Sequence, residues 1–427
     1  MTLQTERPRA QAADPENLER RIGLLRLFIG LLLILGLAGL FGVLGATLVI
    51  LGVLGIIVFH EFGHFATAKL TGMQVTEFFV GFGPRLWSVR KGETEYGVKA
   101  LPLGGYCKIP GMTLLEEVDP ADEPRSYRQQ RFWKRFLVVF AGPSSHFILG
   151  FLLLYAGLAT GAYAPFGEKP LPVVDELSAI GEELSPAARA GFRPGDRVVA
   201  VDGQLVEEWD EVKSYTAARP GQPIDFVVER GGRRMTLTAT PVDARKIEID
   251  GTSYADPAGP AVGLIGITAA WPEYNAVTAI PKAGQQLGFL TGETVSALGD
   301  LVDPDGIRGY FEQLGGRESR PDDLRFLSPV GLANVAGEAA QSGVGTVLTL
   351  LILINVFVGL FNLVPLLPLD GGHIAIALYE AIRARPGRRY HADVRKLQPV
   401  LIATLVLLAF LALTALWLDV VQPAQIQ

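Results

Sequence analysis

Five consecutive residues, His60-Glu61-Phe62-Gly63-His64, have the types and the spacing of a metal site on a helix. His60 and His64 lie one helical turn apart on the same face, where both imidazoles can bind one metal ion. Glu61 does not share that face, but its carboxylate can take a proton from a water molecule at the metal, as in the H-E-x-x-H motif. The pattern predicts a zinc site with Glu61 as the general base.

These residues interrupt a segment that is otherwise apolar. From Ile22 to Phe59 the only charged residue is Arg26, and ionisable side chains at membrane depth are costly unless they have a function. A chance match on the surface of a soluble helix is the alternative, and the apolar setting disfavours it. The sequence therefore indicates a metal site at membrane depth.

The composition is that of a membrane protein with separate polar domains. Of the 427 residues 49% are hydrophobic, yet the chain carries 38 basic and 44 acidic residues. The net charge of −6 gives no indication of nucleic-acid binding. The single cysteine, Cys107, excludes an internal disulfide.

Hydropathy predicts a polytopic α-helical membrane protein with four core spans and an extra N-terminal span. A cleaved signal peptide is the alternative for the first apolar stretch, at about 22–41. Two strands around a turn at 91–94 predict a membrane-associated β-hairpin. The predicted division is a disordered tail (1–21), the accessory span and first core span (22–67), the hairpin region (68–135), the second core span (136–160), a polar domain (171–243), a connector (244–343) with an amphipathic helix broken near Pro281, the third core span (344–373), and a basic loop with the fourth core span (374–427).

The distribution of charge predicts the orientation of these spans. Residues 1–26 hold five Lys/Arg, residues 69–135 hold eleven and residues 383–396 hold six. Residues 161–343 hold sixteen Lys/Arg against 27 Asp/Glu. Because basic loops stay in the cytoplasm and five spans place all three basic segments on one side, we expect a cytoplasmic N-terminus and an extracytoplasmic acidic domain.

A third metal ligand is expected on another span, because a catalytic zinc site has three protein ligands and one open position. Asp370 is the only acidic residue in 339–379. It is followed by Gly371 and Gly372, which let the backbone turn closely. His373 is the alternative ligand, and we favour Asp370.

Three motifs make the chain resemble the site-2 protease family, the intramembrane zinc metalloproteases. They are H-E-F-G-H at 60–64, A-G-P at 141–143 and N-L-V-P-L-L-P-L-D-G-G-H at 362–373. The hairpin stretches V-G-F-G-P and L-P-L-G-G-Y also match, and the resemblance covers about residues 45–420. The chain is most similar to the bacterial branch with one PDZ domain.

The resemblance implies a role for each matching residue. It implies that His60, His64 and Asp370 bind one zinc ion and that Glu61 is the catalytic glutamate. Asn362 would then take part in substrate handling in the active site.

One departure from the family pattern concerns His146. The family usually has asparagine three residues after the proline of A-G-P, and this chain has His146 there. An imidazole can still donate one hydrogen bond, so we expect His146 to bind substrate or support the metal site, with a role as fourth metal ligand as the alternative. We group Gly371, Gly372 and His373 with it as supporting residues.

The polar domain resembles a PDZ domain. A strand entered through a glycine turn lies within 187–203, a helix is predicted at about 209–218, and strands follow at 224–229 and 235–240. PDZ grooves bind an extended peptide as an added strand. A β-rich spacer without a ligand is the alternative.

The resemblance implies regulated intramembrane proteolysis at the bacterial inner membrane. Substrates would be single-span regulatory proteins, such as anti-sigma factors, cut within the lipid bilayer after a first extracytoplasmic cleavage. Two other functions remain open: an inactive PDZ-bearing scaffold, and a membrane-anchored zinc peptidase that acts on soluble proteins at the cytoplasmic face.

Overall fold

The computed structural model describes residues 15–423, apart from 113–116, 180–183, 250–251, 254–258, 318–324, 386–389 and 394–395. The chain divides into two compact units, one formed by Met1–Tyr163 with Ala276–Gln427 and the other by Ala164–Asn275. The helices are α1 (Pro15–Leu40), α2 (Leu44–Leu70), α3 (Phe132–Thr160), α4 (Pro186–Ala190), α5 (Trp209–Ala217), α6 (Ala279–Val302), α7 (Pro304–Leu314), α8 (Pro329–Ser342), α9 (Val344–Asn362), α10 (Asp370–Arg383) and α11 (Gln398–Val421).

Five helices of the first unit are long and apolar enough to cross a membrane: α1 from Ile22, α2, α3, α9 and α11. They agree with the predicted polytopic helical architecture. Helix α3 packs against α2, α6, α9 and α10, so it forms the centre of this unit. Helix α1 begins at Pro15, so the prediction of a disordered tail is wrong for residues 15–21, and residues 1–14 lie outside the described residues.

The predicted hairpin consists of two 15-residue strands, β1 (Glu77–Lys91) and β2 (Thr94–Lys108). Both strands bend, so that residues 77–80 pair with 105–108 and also with 95–98. The turn is tied to the end of α2, because Glu93 accepts hydrogen bonds from Lys69 at 2.6 Å and from Arg125 at 2.6 and 3.0 Å. These bonds, those from Arg125 above all, lower the pKa of Glu93.

Two predicted features of the first unit need correction. Helix α6 is continuous through Pro281, because this proline lies in the first helical turn, where its missing N–H is not needed. The segment 374–427 was predicted to hold only the basic loop, placed at 383–396, and the fourth core span, but residues 374–383 belong to α10. Helices α7 and α8 were not predicted separately within the connector.

The second unit contains β3 (Val174–Leu177), β4 (Arg197–Val201), β5 (Gln204–Leu205), β6 (Ile224–Arg230), β7 (Arg233–Ala239), β8 (Val242–Asp243), β9 (Glu248–Ile249), β10 (Thr252–Ser253), β11 (Gly263–Leu264) and β12 (Ile267–Ala269). Four of these strands form a sheet in the order β5-β4-β6-β7. The unit extends beyond the predicted boundary at 243, because β11 pairs with β8 and β12 pairs with β3. Residues 244–275 were predicted to belong to the connector, and that prediction is wrong.

Candidate metal centre

Helix α2 presents the two histidines side by side. The Nε2 atoms of His60 and His64 are 3.1 Å apart, and both side chains are buried. This follows from the four-residue spacing, which places both rings on one face of a continuous helix.

Asp370 reaches the same point from a different helix, α10. It is the first residue of α10, after an irregular segment at 363–369 that contains two prolines. Its Oδ2 lies 3.3 Å from Nε2 of His60 and 3.3 Å from Nε2 of His64. A side chain at Gly371 would begin 2.2 Å from the Leu363 carbonyl oxygen, and one at Gly372 would collide with Leu366. These glycines therefore allow α10 to start against the irregular segment.

The three side chains form the one group among the described residues whose ligand atoms could hold a metal ion. Zinc–ligand bonds of about 2.0–2.1 Å at tetrahedral angles put neighbouring ligand atoms about 3.3–3.4 Å apart. The observed separations of 3.1 and 3.3 Å match that spacing. Asp370 Oδ2 is also buried without a hydrogen-bond donor among the described residues. The residues present therefore fit a zinc ion.

Helix α3 fixes the orientation of His64. Nδ1 of His64 donates a hydrogen bond to the Val138 carbonyl oxygen at 2.8 Å. A carbonyl only accepts, so Nδ1 carries the proton and Nε2 keeps its lone pair for a metal. One turn further along α3, a side chain at Gly142 would begin 2.3 Å from His64 Nε2 and 2.8 Å from His60 Cε1. Only glycine lets α3 approach both rings.

The side chain of Glu61, on α2, lies against the hairpin. Its carboxylate lies near the backbone N–H of Cys107 in β2. Its Cγ is 3.3 Å from the position that a side chain at Gly105 would take. At Gly105, β2 therefore lies against Glu61 with no side chain in between.

His146 also faces the histidine pair, from α3. Its ring centroid is 5.0 Å from that of His60, but it does not belong to the group of three ligands. Its Nδ1 is 3.3 Å from Oδ1 of Asn355, whose Nδ2 donates to the Leu351 carbonyl at 2.8 Å. Asn355 Oδ1 therefore accepts a hydrogen bond from the Nδ1–H of His146. This leaves Nε2 of a neutral ring as a buried acceptor, without a partner among the described residues.

Asn355 is a site residue that the sequence reasoning missed. The available signal was an amide in the middle of the apolar helix α9, two turns before Asn362 at its end. The predicted Asn362 instead donates Nδ2 to the Val358 carbonyl of its own helix at 3.1 Å. His373 lies one turn after Asp370 and outside the ligand group.

This combination is typical of a membrane zinc peptidase: three residues that could hold a metal ion, two of them on a helix long and apolar enough to cross a membrane. The model of peptidase family M50 matches residues 48–408. The zinc metalloprotease Rip1 of Mycobacterium tuberculosis is 35% identical over 391 residues, which cover 87% of this chain and 95% of the relative. Rip1 of Mycolicibacterium smegmatis is 34% identical over 397 residues, with the same coverage.

The chain belongs to peptidase family M50, the site-2 protease family of zinc metalloproteases. It is accordingly a zinc metallopeptidase of the membrane. The family match begins at residue 48, so α1 lies outside it.

Proposed function

We propose that the chain is an intramembrane zinc protease in which His60, His64 and Asp370 bind the metal and Glu61 is the general base. The observation that supports this most directly is the convergence of three ligand atoms, within 4.8 Å of one another, from α2 and from the start of α10. Two nitrogens and one carboxylate oxygen leave a fourth position open, which is typical of catalytic rather than structural zinc.

The reaction divides between the metal and the chain. When bound, zinc polarises the scissile carbonyl and activates a water molecule. The Glu61 carboxylate accepts the proton of the attacking water and passes it to the leaving amine. His146, held by Asn355, offers Nε2 to the backbone of the substrate.

The hairpin is proposed to hold the substrate in an extended form. Residues 105–108 pair on one side with 77–80, and no further strand pairs with them among the described residues. A strand edge beside Glu61 that pairs with no further strand among the described residues supports binding of an unwound segment by β-augmentation.

Substrates are proposed to be single-span regulatory proteins, such as anti-sigma factors, that have already lost their extracytoplasmic domains. The orientation that follows from charge places Ala164–Asn275 outside, with the N-terminus in the cytoplasm. This unit, which resembles a PDZ domain, would exclude untrimmed substrates by size.

A second role for this unit is supported by a cavity of about 570 Å³ within it. The cavity lies between α5, with Trp209, Val212 and Lys213, and the strand segments at 263–269. Its size and its apolar walls suit an extended peptide, so the unit would bind the new end of a trimmed substrate.

Deletion of residues 164–275, with a short flexible linker in their place, separates the two roles. We favour size exclusion and expect untrimmed substrates to be cut after deletion. Loss of cleavage even of trimmed substrates would instead indicate a required receptor. Unchanged selectivity would contradict both roles.

The activity itself is tested with purified protein in lipid. We expect cleavage of a reporter that carries a transmembrane segment, no cleavage of a soluble unfolded protein, and loss of activity with a zinc chelator. Cleavage of the soluble protein alone would identify a membrane-anchored peptidase. No cleavage of either substrate by the zinc-loaded protein would indicate a scaffold.

A further inference from the structure

A buried ion pair joins α3 to α10, the helix that begins with Asp370. Nη1 of Arg135 lies 2.7 Å from Oε2 of Glu380, and both side chains are more than nine-tenths buried. The Arg135 guanidinium also lies over the Tyr127 ring at 5.4 Å. The other carboxylate oxygen of Glu380 accepts the Ala392 N–H at 2.7 Å.

The presence of this buried ion pair is not explained by its contribution to the free energy of unfolding. Burying two charges costs nearly as much as their attraction returns, and an apolar pair of similar volume often stabilises a protein equally well. A buried, hydrogen-bonded ion pair does, however, restrict the geometry of the elements that it joins.

The elements joined here are the two halves of the metal site. Arg135, Val138, Gly142 and His146 follow one another along α3 at spacings of three, four and four residues, so they share one face. On this face the Val138 carbonyl orients His64. Asp370, by contrast, is separated from α9 by the irregular segment 363–369, so the position of α10 needs an anchor of its own.

We propose that Arg135 and Glu380 are positioning residues, which fix α10 on α3 and thereby hold Asp370 at the correct distance from the two histidines. This inference rests on the proposed function, because it assumes that Asp370 binds the zinc ion. Helix α3 would then align both parts of the metal site. It orients His64 through the Val138 carbonyl, and it positions Asp370 through the Arg135–Glu380 ion pair.

The chain contains a matched control, the ion pair of Arg325 and Asp419. Asp419 is completely buried at the end of α11, with Oδ1 3.4 Å from Arg325 Nη2, and it accepts the Ser328 N–H at 2.7 Å. Asp419→Asn and Glu380→Gln therefore each leave a buried arginine and weaken one bond to a backbone N–H. Only Glu380 lies on the helix of a metal ligand.

The experiment compares zinc dissociation constants, by competition with a chelator, and thermal unfolding midpoints of the full-length protein in lipid. We expect both variants to unfold at lower temperature, but only Glu380→Gln to bind zinc about 10–100-fold more weakly. Zinc affinity equal to the wild type in Glu380→Gln, or an equal loss in Asp419→Asn, would overturn the proposal.

A second variant covers the case in which Glu380→Gln does not fold. Arg135→Met combined with Glu380→Gln leaves no unpaired buried charge, so it is expected to fold and still to bind zinc weakly. Zinc affinity like the wild type in this double variant would also overturn the proposal. If Asp370→Ala binds zinc like the wild type, the proposed ligand set fails first; if only the ion-pair variants do so, the positioning role alone fails.

Discussion

Gly142→Ala is expected to disturb both histidines with a single methyl group. The new Cβ would lie 2.3 Å from Nε2 and 2.4 Å from Cε1 of His64, and 2.8 Å from Cε1 of His60. Carbon atoms in contact are about 3.5–4.0 Å apart. The rings or α3 must therefore move by about 1 Å, in a site where His64 is already held by the Val138 carbonyl.

The size of the effect follows from that displacement. A misplacement of about 1 Å in a catalytic site lowers the rate by about 100-fold. Loss of ligand orientation weakens zinc binding by about 10–100-fold. The substitution itself favours the helix by about 1 kcal/mol, so unfolding of α3 is not the expected cause.

Gly150→Ala is the matched control on the same helix. Its Cβ would meet Leu287 at 3.7 Å and Asn355 at 3.8 Å, which are ordinary contacts. Zinc content and cleavage of a transmembrane reporter should fall in Gly142→Ala and stay near the wild type in Gly150→Ala. If Gly142→Ala keeps normal zinc affinity and cleavage, the close packing of α3 on the histidines is not required for activity.

Further predictions concern the chemistry and the orientation of the chain. Glu61→Gln should retain zinc but lower the rate of cleavage by about 100-fold or more, because no general base remains; a rate above a tenth of the wild type would remove Glu61 from that role. Asp370→Ala should lose zinc and His373→Ala should keep it; metal analysis showing the reverse would exchange the two assignments. In a Cys107→Ser background, a cysteine at Gly232 should react with a membrane-impermeant thiol reagent in intact cells and one at Gly92 should not; labelling at Gly92 alone would invert the orientation.

The features that could be predicted from the sequence are those with local signatures. The pairing of His60 with His64 depends only on helical periodicity. The structure brings both together with Asp370, which could be predicted because it is a carboxylate in an apolar context. The five apolar helices follow from hydropathy, which is a property of each segment alone and does not depend on its tertiary contacts.

The features that were missed depend on distant partners. Asn355 gains its importance from His146, which is 209 residues away in the chain. The three-residue strand β12 is too short to recognise alone, and its pairing with β3 extends the second unit to Asn275. Whether α6 could include Pro281 depended on the residue at which the helix begins. The start of a helix is difficult to predict from sequence when no side chain caps it, as at α6.

The backbone beside Glu61 has a consequence for which proteins are cut. At Gly105 the hairpin places no side chain beside Glu61, and the backbone of a strand edge can pair with any extended polypeptide. Under the proposed pairing, discrimination then shifts from the side chains of a segment to the work of unwinding it. Glycine and proline make a helix about 1 and about 3 kcal/mol less favourable than alanine does, and about 1.4 kcal/mol is a tenfold change in population. Susceptibility would thus be a thermodynamic property of a transmembrane helix, distributed along its length rather than encoded in a recognition sequence.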